Sequence, residues 1–121
     1  MTQEAALFNF FNSFGLTAYP NISVPDDAKY PYITYPVMSG NWTDTSFPSV
    51  YIYTKNAKVT DLTAYVRLFS DRLKNGGETV ECDNGMLWIT TGNPLVNYLT
   101  DATDETVRFA VLNLNVEHIT T

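Results

Sequence analysis

The feature that most limits how this chain can fold is an apolar stripe near its N-terminus. Large apolar residues recur at the spacing i, i+3, i+4 and i+7, which is the spacing of one side of an α-helix. They are Leu7, Phe10, Phe11 and Phe14, with Phe8 at the edge of the stripe. Thr2 is the expected N-cap and Gly15 the expected stop, so a helix is predicted from about Glu4 to Phe14. A side this rich in phenylalanine has to be buried against another layer.

A second one-sided helix is predicted from about Asp61 to Lys74. Its apolar positions are Leu62, Tyr65, Val66, Phe69 and Leu73. Thr60 is the expected N-cap, Asp61 suits the positive end of the helix, and Asn75-Gly76-Gly77 is the expected stop. Two helices that are apolar on one side need a common surface to cover.

Strands can supply that surface. Runs of β-branched and aromatic residues predict five of them. They are Tyr32–Val37, Val50–Thr54, Thr79–Cys82, Met86–Thr90 and Val107–Ile119. Asp83-Asn84-Gly85 predicts a hairpin between the third and the fourth, because Asn-Gly favours a tight turn. Leu16–Tyr30 is expected to be an extended connector, and Leu95–Asp104 a loop with at most one helical turn.

Prolines set the expected limits of two strands. Pro31 and Pro36 cannot donate to a ladder, so the first strand is expected at a sheet edge or with a bulge. Gly92-Asn93-Pro94 is expected to break the fourth strand. In the last strand, Val107, Phe109 and Val111 alternate out of step with Leu112, Leu114 and Val116. Either its first half is covered on both faces, or a bulge shifts its register.

The resulting order, α-β-β-α-β-β-β, predicts one α+β domain over residues 1–121. About five strands would form a mixed or antiparallel sheet, with both helices packed on one face. A chain of 121 residues, 45% of them hydrophobic, can bury a core without a disulfide or a metal.

Charge argues against several partners. Seven Lys+Arg against thirteen Asp+Glu give a formal net charge of −6, without a basic cluster to hold nucleic-acid phosphates. The sequence predicts neither a signal peptide nor a membrane span, so we expect synthesis and folding in a cytoplasm and no membrane partner. Cys82 is the single cysteine, which rules out an intramolecular disulfide.

The residue types that carry catalysis are few and scattered. His118 is the only histidine, and neighbouring Glu117 should point to the opposite side of its strand. Cys82 stands beside two carboxylates, which would raise its pKa. The acidic pair Asp26-Asp27 matches no calcium-loop pattern. We therefore predict no enzyme activity, no catalytic residue, no cofactor and no metal site.

Tyrosines crowd into the first two strands. Tyr51 and Tyr53 share one side of the second strand, opposite Val50 and Ile52, so they face outward if the aliphatic pair faces the helices. They are then either part of a protein interface or the solvent side of an ordinary sheet. The predicted interface set, chosen for its aromatic or acidic chemistry, is Trp42, Asp44, Tyr51, Tyr53, Asp101, Asp104 and Glu105.

Trp42 lies in a polar loop, Ser39–Ser46, that is long for a hairpin. A tryptophan in such a loop either folds back onto the core or stays available to a partner. The loop length favours the partner.

Several stretches of the chain resemble a known group. Leu7–Tyr19 (LFNFFNSFGLTAY) leads into Val24–Tyr35 (VPDDAKYPYITY), and Met86–Pro94 (MLWITTGNP) precedes Arg108–Glu117 (RFAVLNLNVE). Together they resemble the small tail-terminator, or minor capsid, proteins of long-tailed phages and prophages of Gram-positive bacteria. The resemblance spans almost the whole chain.

This resemblance implies a structural virion protein at the head-proximal end of the tail. Copies of the chain, typically six, would form a ring that caps the tail tube, ends its polymerisation and offers a joining surface to the head–tail connector proteins. DNA would pass through the ring only as cargo. The alternatives are another head–tail connector subunit, a small acidic inhibitor that binds one basic partner and, less favoured, a small hydrolase.

Overall fold

A computed structural model of the chain describes residues 1–39 and 42–120. Within this part, two α-helices, one 3-10 helix and six strands follow one another. They are α1 (Gln3–Phe11), the 3-10 helix (Asn12–Phe14), β1 (Thr17–Pro20), β2 (Tyr32–Tyr35), β3 (Ser49–Lys55), α2 (Val59–Leu73), β4 (Glu78–Cys82), β5 (Gly85–Thr100) and β6 (Val107–Thr120). The predicted α+β class is confirmed, with a sixth strand that the sequence analysis did not include.

The strands form one mixed sheet that curves into a half-barrel, in the order β1-β2-β3-β6-β5-β4. The β1–β2 pair is parallel, and the other neighbours are antiparallel. Strand β6 lies in the middle and pairs with β3 on one side and β5 on the other. Its length explains the extent of the sheet, because both neighbours follow it over many residues.

Both helices contribute to one buried cluster on the same face of the sheet. The strand residues in it alternate along each strand: Ala18, Ile33, Tyr35, Val50, Ile52, Leu87, Ile89, Ala110, Leu112, Leu114 and Val116. The phenylalanine stripe of α1 packs here, with the Phe11 ring 4.7 Å from that of Tyr35 and the Phe14 ring 3.8 Å from that of Phe69 of α2. The stripe is therefore buried, as its periodicity predicts.

The helix ends differ slightly from the predicted ones. Thr2 caps α1 as predicted, since its hydroxyl accepts the Ala5 N–H at 3.1 Å. The α-helix ends at Phe11, and the last three predicted residues tighten into the 3-10 helix, which stops at Gly15 with φ 87°. Such a tightened last turn is common at helix ends.

Helix α2 begins at Val59, two residues before the predicted start. The N-cap position is therefore Lys58 and not Thr60. The Asp61 carboxylate accepts the Lys58 N–H at 3.2 Å. This hydrogen bond satisfies a backbone donor at the start of the helix, in place of the expected cap by Thr60. At the other end the predicted stop is confirmed, because Gly76 and Gly77 both have φ 87°.

The predicted connector Leu16–Tyr30 is wrong in its first part. Thr17–Pro20 forms β1, which pairs in parallel with β2. This also changes the predicted position of β2, which lies between β1 and β3 and not at the edge. Pro31 and Pro36 fall just outside Tyr32–Tyr35, so β2 loses no donor to them.

Strand β5 is also longer than predicted. Gly92-Asn93-Pro94 does not break it; the register against β6 shifts between Thr91 and Val96, and pairing then continues to Thr100. The predicted loop Leu95–Asp104 is therefore strand in its first six residues. The Asn84-Gly85 hairpin between β4 and β5 is confirmed, with φ 64° at Asn84.

The pairing of β6 decides between a bulge and coverage of both faces in the first half of this strand. Its pairing with β3 is continuous from Val107 to Asn113, so no bulge shifts it there. Ala110 and Leu112 face the helices, and Phe109 and Val111 face the other side of the sheet. In the predicted polar loop, Gly40 and Asn41 lie outside the described residues, and Ser46 bridges to Val116.

Candidate functional site: the aromatic face of the sheet

The side of the sheet opposite the helices carries a row of aromatic rings. Because side chains alternate along a strand, neighbours in register fall on the same face. Tyr32 pairs with Tyr53, and Tyr53 pairs with Phe109. We call this surface the aromatic face and define it as Tyr19, Tyr32, Tyr51, Tyr53 and Phe109, with Tyr30 at its rim.

The rings touch one another across four strands. Starting from β1, the Tyr19 and Tyr32 centroids are 5.9 Å apart, those of Tyr32 and Tyr53 5.3 Å, and those of Tyr53 and Phe109 5.3 Å. Tyr51 lies 5.9 Å from both Tyr53 and Phe109. These separations are typical of favourable aromatic pairs. The face is thus one connected layer of half-buried rings, and both helices lie on the other side of the sheet.

This packing partly shields the Tyr32 and Tyr53 hydroxyls from water. Burial first, and then the nearby Tyr30, raise the pKa of Tyr32 to about 12. Burial also raises the pKa of Tyr53. Thr34 lies among these rings and is 5% exposed. The Tyr32 and Tyr53 hydroxyls therefore stay protonated at physiological pH and bring no charge to the face.

One edge of the aromatic face meets the turn between β5 and β6. The Lys55 ammonium lies 6.0 Å from the Tyr30 ring centroid and 3.6 Å from the Asp104 carboxylate. Lys55 therefore joins the rim of the face to the turn. Of the predicted interface residues, the fold brings together Tyr51, Tyr53 and this acidic turn.

The turn carboxylates are largely engaged within the turn itself. Asp101 accepts the Thr103 N–H and hydroxyl, both at 2.8 Å, and Asp104 accepts the Thr106 N–H at 3.0 Å and its hydroxyl at 2.6 Å. These bonds lower the pKa of both carboxyls. Glu105 is exposed on the same turn. Asp101 and Asp104 thus shape the turn, and Glu105 is the carboxylate left for an outside contact.

Trp42 and Asp44 lie elsewhere. Trp42 is half-buried and packs against the core cluster, with φ 56°, and Asp44 is exposed. Their loop joins β6 at Val116, whereas the acidic turn precedes Val107. At about 3.4 Å per residue, these two points on β6 are roughly 30 Å apart. The seven predicted residues therefore do not form a single site.

The residue types that could act in catalysis or hold a metal are scattered over the described part of the chain. The Cys82 thiol has its pKa raised by burial and then by Asp83, whose carboxylate instead holds the N-terminal ammonium at 2.8 Å. His118 faces the helix side, in register with Leu87, and its buried Nε2 has no hydrogen-bond partner among residues 1–39 and 42–120. Among the residues described, no three His, Cys, Asp or Glu side chains come close enough to hold a metal ion.

Sequence reasoning missed part of the aromatic face. Tyr19 was assigned to a connector, and Phe109 was noted only for its parity. The signal for Phe109 was present, since its alternation with Val111 puts both on the side opposite Leu112. For Tyr19 no local signal existed, because its strand is four residues long and pairs only with a distant segment.

Comparisons with known proteins found no family model, no curated protein and no solved structure that matches this chain. None of the helices in the described residues is long and apolar enough to cross a membrane.

Proposed function

We propose that this chain is a structural subunit that assembles with copies of itself into a ring at the head-proximal end of a phage tail. In this role it caps the tail tube, stops its growth and offers a docking surface to head–tail connector proteins. The ring is proposed as a hexamer, in line with the tail-terminator proteins that the sequence resembles. DNA is its passing cargo, and the protein carries out no reaction.

The observation that carries this proposal is the aromatic face. Five connected rings, four of which carry a hydroxyl, form a rigid amphipathic surface that lacks a covering layer in the described residues. Rigid tyrosines lose little conformational entropy on binding and are enriched at the centres of protein interfaces. A surface of this kind suits contact with protein, since it is mostly aromatic and Lys55 at its rim is already paired with Asp104.

Charge supports contact between identical copies at this face. Each copy carries −6, so copies repel unless they meet where carboxylates are absent. The five rings lie on β1, β2, β3 and β6, and the carboxylate that β6 carries, Glu117, is eight residues beyond Phe109. Ten of the thirteen acidic residues lie on helices, loops and turns, where an acidic channel lining would let DNA slide without binding.

The proposal is tested by weakening the aromatic face without touching the core. Tyr51→Ser and Tyr53→Ser remove rings that face away from the helices, so we expect native-like circular dichroism and loss of the ring, measured by mass photometry with purified tail tubes. Leu68→Ser is the matched control: Leu68 is 41% exposed on α2, on the opposite layer, and its loss should leave assembly unchanged. Equal effects of the three substitutions would contradict the proposal.

A second experiment addresses the biological role. Deleting the gene from its phage should give tails of uncontrolled length that do not join heads, as seen by electron microscopy. Tails of normal length in that mutant would end the terminator hypothesis. If normal-length tails still failed to join heads, another connector role would replace it, and a one-to-one complex with a basic protein would favour the acidic inhibitor instead.

A further inference from the structure

Strand edges without a neighbouring strand in the described residues include β1, β4 and the far half of β5, and the first two are protected. The end of β6 beyond its bridge to Ser46 is another such edge. On β1, the Asn12 side chain takes the place of a strand: its amide donates to the Ala18 carbonyl at 3.3 Å and its oxygen accepts the Ala18 N–H at 2.9 Å. On β4, only five residues long, Glu78 and Glu81 bring charge to the edge. Blocking groups, short strands and charges are common protections against strand addition.

The third stretch is the far half of β5. Strand β4 pairs only with Gly85–Ile89, whereas β5 runs on to Thr100. The Asp101 N–H bonds to the Val107 carbonyl at 2.9 Å, so antiparallel alternation turns Leu99 and Asn97 toward β6. The backbone groups of Val96, Tyr98 and Thr100 then point away from β6, toward the open side.

This open edge is both apolar and uncharged. Tyr98 is 45% exposed and Leu99 is 49% exposed, and β5 contains no Asp, Glu, Lys or Arg over its 16 residues. Large exposed apolar side chains next to unpaired backbone groups are typical of an edge that adds another strand. Beyond the irregularity that contains Pro94, the stretch Val96–Thr100 carries none of the charges or blocking side chains seen at β1 and β4, which leaves this edge free to add a strand.

We propose that the open edge of β5 pairs, antiparallel, with the same edge of a second copy of this chain, around a twofold axis at Tyr98. In this register Val96 lies opposite Thr100, and each Tyr98 lies opposite its counterpart. The two half-barrels then join into one continuous sheet of twelve strands, twice the six of a single copy. Tyr98 and Leu99 become covered in both copies.

The uncharged edge can accept a second copy as its occupant, because two copies that meet there bring no carboxylates together. A partner with −6 can approach an acidic chain only along an uncharged stretch, and β5 supplies one on both sides of the contact. The acidic turns stay apart, because each Asp101 is three residues beyond the axis and the two are therefore about 20 Å from each other at 3.4 Å per residue. That distance is about two and a half times the screening length at physiological salt, roughly 8 Å.

The contact is separate from the proposed ring. A twofold contact uses the same patch on both copies, whereas the contacts of a closed ring join two different patches. Pairing through β5 therefore goes beyond the proposed function and does not depend on it. It also buries only a short strand edge, well below the roughly 800 Å² per partner of stable complexes, so we expect a dissociation constant weaker than about 1 µM.

The test is the mass of the purified protein in sedimentation equilibrium up to about 1 mM. We expect a concentration-dependent shift from 13.6 kDa to twice that mass. Tyr98→Lys should weaken the dimer at least roughly tenfold, because like charges then oppose each other at the axis. Leu68→Lys adds the same charge on α2 and should have no effect. A monomer at all concentrations, or an equal effect of both lysines, would overturn the proposal.

The register is tested by crosslinking in a Cys82→Ser background. Tyr98→Cys should form an intermolecular disulfide, since directly opposed residues in a hydrogen-bonded pair have Cα atoms about 5.5 Å apart. Thr100→Cys is the matched control, because its two copies would lie roughly 14 Å apart along the strands. Crosslinking of Thr100→Cys and not Tyr98→Cys would reject this register. Tyr51→Ser should keep the dimer, which separates this contact from the ring.

Discussion

Asn12→Ala is the substitution that most directly tests how the sheet protects its β1 edge. The Asn12 side chain makes three hydrogen bonds to backbone groups: its amide donates to the carbonyls of Phe8 at 2.9 Å and Ala18 at 3.3 Å, and its oxygen accepts the Ala18 N–H at 2.9 Å. One side chain thus joins the end of α1 to the outer side of β1. Alanine at this position leaves both backbone groups of Ala18 unpaired.

The size of the effect follows from the burial of that site. Ala18 is 2% exposed, so its N–H and C=O have limited access to replacement water. Leaving buried polar groups without partners costs about 1–3 kcal/mol. For a chain of this length, a loss of 1 kcal/mol lowers the melting temperature by roughly 4 °C, so we expect a decrease of about 4–12 °C for Asn12→Ala.

Thermal and urea denaturation, followed by circular dichroism, measure this loss. Asn12→Asp keeps the acceptor for the Ala18 N–H but places a carboxylate oxygen against the Phe8 and Ala18 carbonyl oxygens at the C-terminal end of α1, so it should be destabilised at least as much as Asn12→Ala. Asn9→Ala is the matched control on the same helix, because Asn9 is exposed and its change should stay within about 0.5 kcal/mol. Equal stability of Asn12→Ala and Asn9→Ala would show that the side chain does not hold β1.

Two other predictions concern stability. Arg72 forms a two-bond ion pair with Glu78 and lies 4.1 Å over the Phe14 ring. Arg72→Ala should therefore lower the free energy of unfolding, measured by urea denaturation, by about 1–2 kcal/mol. Arg72→Lys should restore less than half of this loss, because lysine lacks the planar guanidinium. The pKa of Tyr32, raised to about 12, lies above its unfolded value of 10.0, so its contribution to stability is complete below pH 10 and is lost as the pH rises toward 12. Tyr32→Phe should flatten that decline, measured by urea denaturation across the same range; an unchanged slope would contradict the assignment.

The orientation of the central tyrosines was predictable from local pattern alone. Val50 and Ile52 are fully buried on the helix side, so the strict period of two in a strand forces Tyr51 and Tyr53 to the other side. Predicting this orientation needs no knowledge of which strands pair, because the two amphipathic helices show that the aliphatic side of the strand is the covered one. The core of the candidate surface was therefore predictable from the sequence.

The extent of that surface was not predictable, and the reason lies in pairing. Strand β1 is four residues long, contains Pro20 and exists because β2 lies beside it in parallel. The far half of β5 follows the turn-like Gly92-Asn93-Pro94 and exists because β6 is long enough to pair with it beyond the register shift. In both segments the partner strand overrides the local signal, and a reading of nearby residues cannot supply the partner.

Trp42 shows a different limit. Loop length favoured a side chain kept for a partner, but the ring is half-buried against the core cluster. Composition and loop length contain no information on whether an aromatic side chain folds back, since that depends on the space left beside the core. The same holds for Asp101 and Asp104, whose carboxylates are used by Thr103 and Thr106 within their own turn.

The distribution of charge explains how a strongly acidic chain can still associate with itself. Ten of the thirteen carboxylates lie outside the strands, on helices, loops and turns. The strand carboxylates are Glu78 and Glu81 on β4 and Glu117 near the end of β6, away from both the aromatic face and the open edge of β5. Net charge therefore argues against phosphate-bearing partners while leaving two neutral surfaces of different geometry, a layer of rings and a line of backbone groups. Because one surface is a sheet face and the other a strand edge, both can be occupied on the same copy at once.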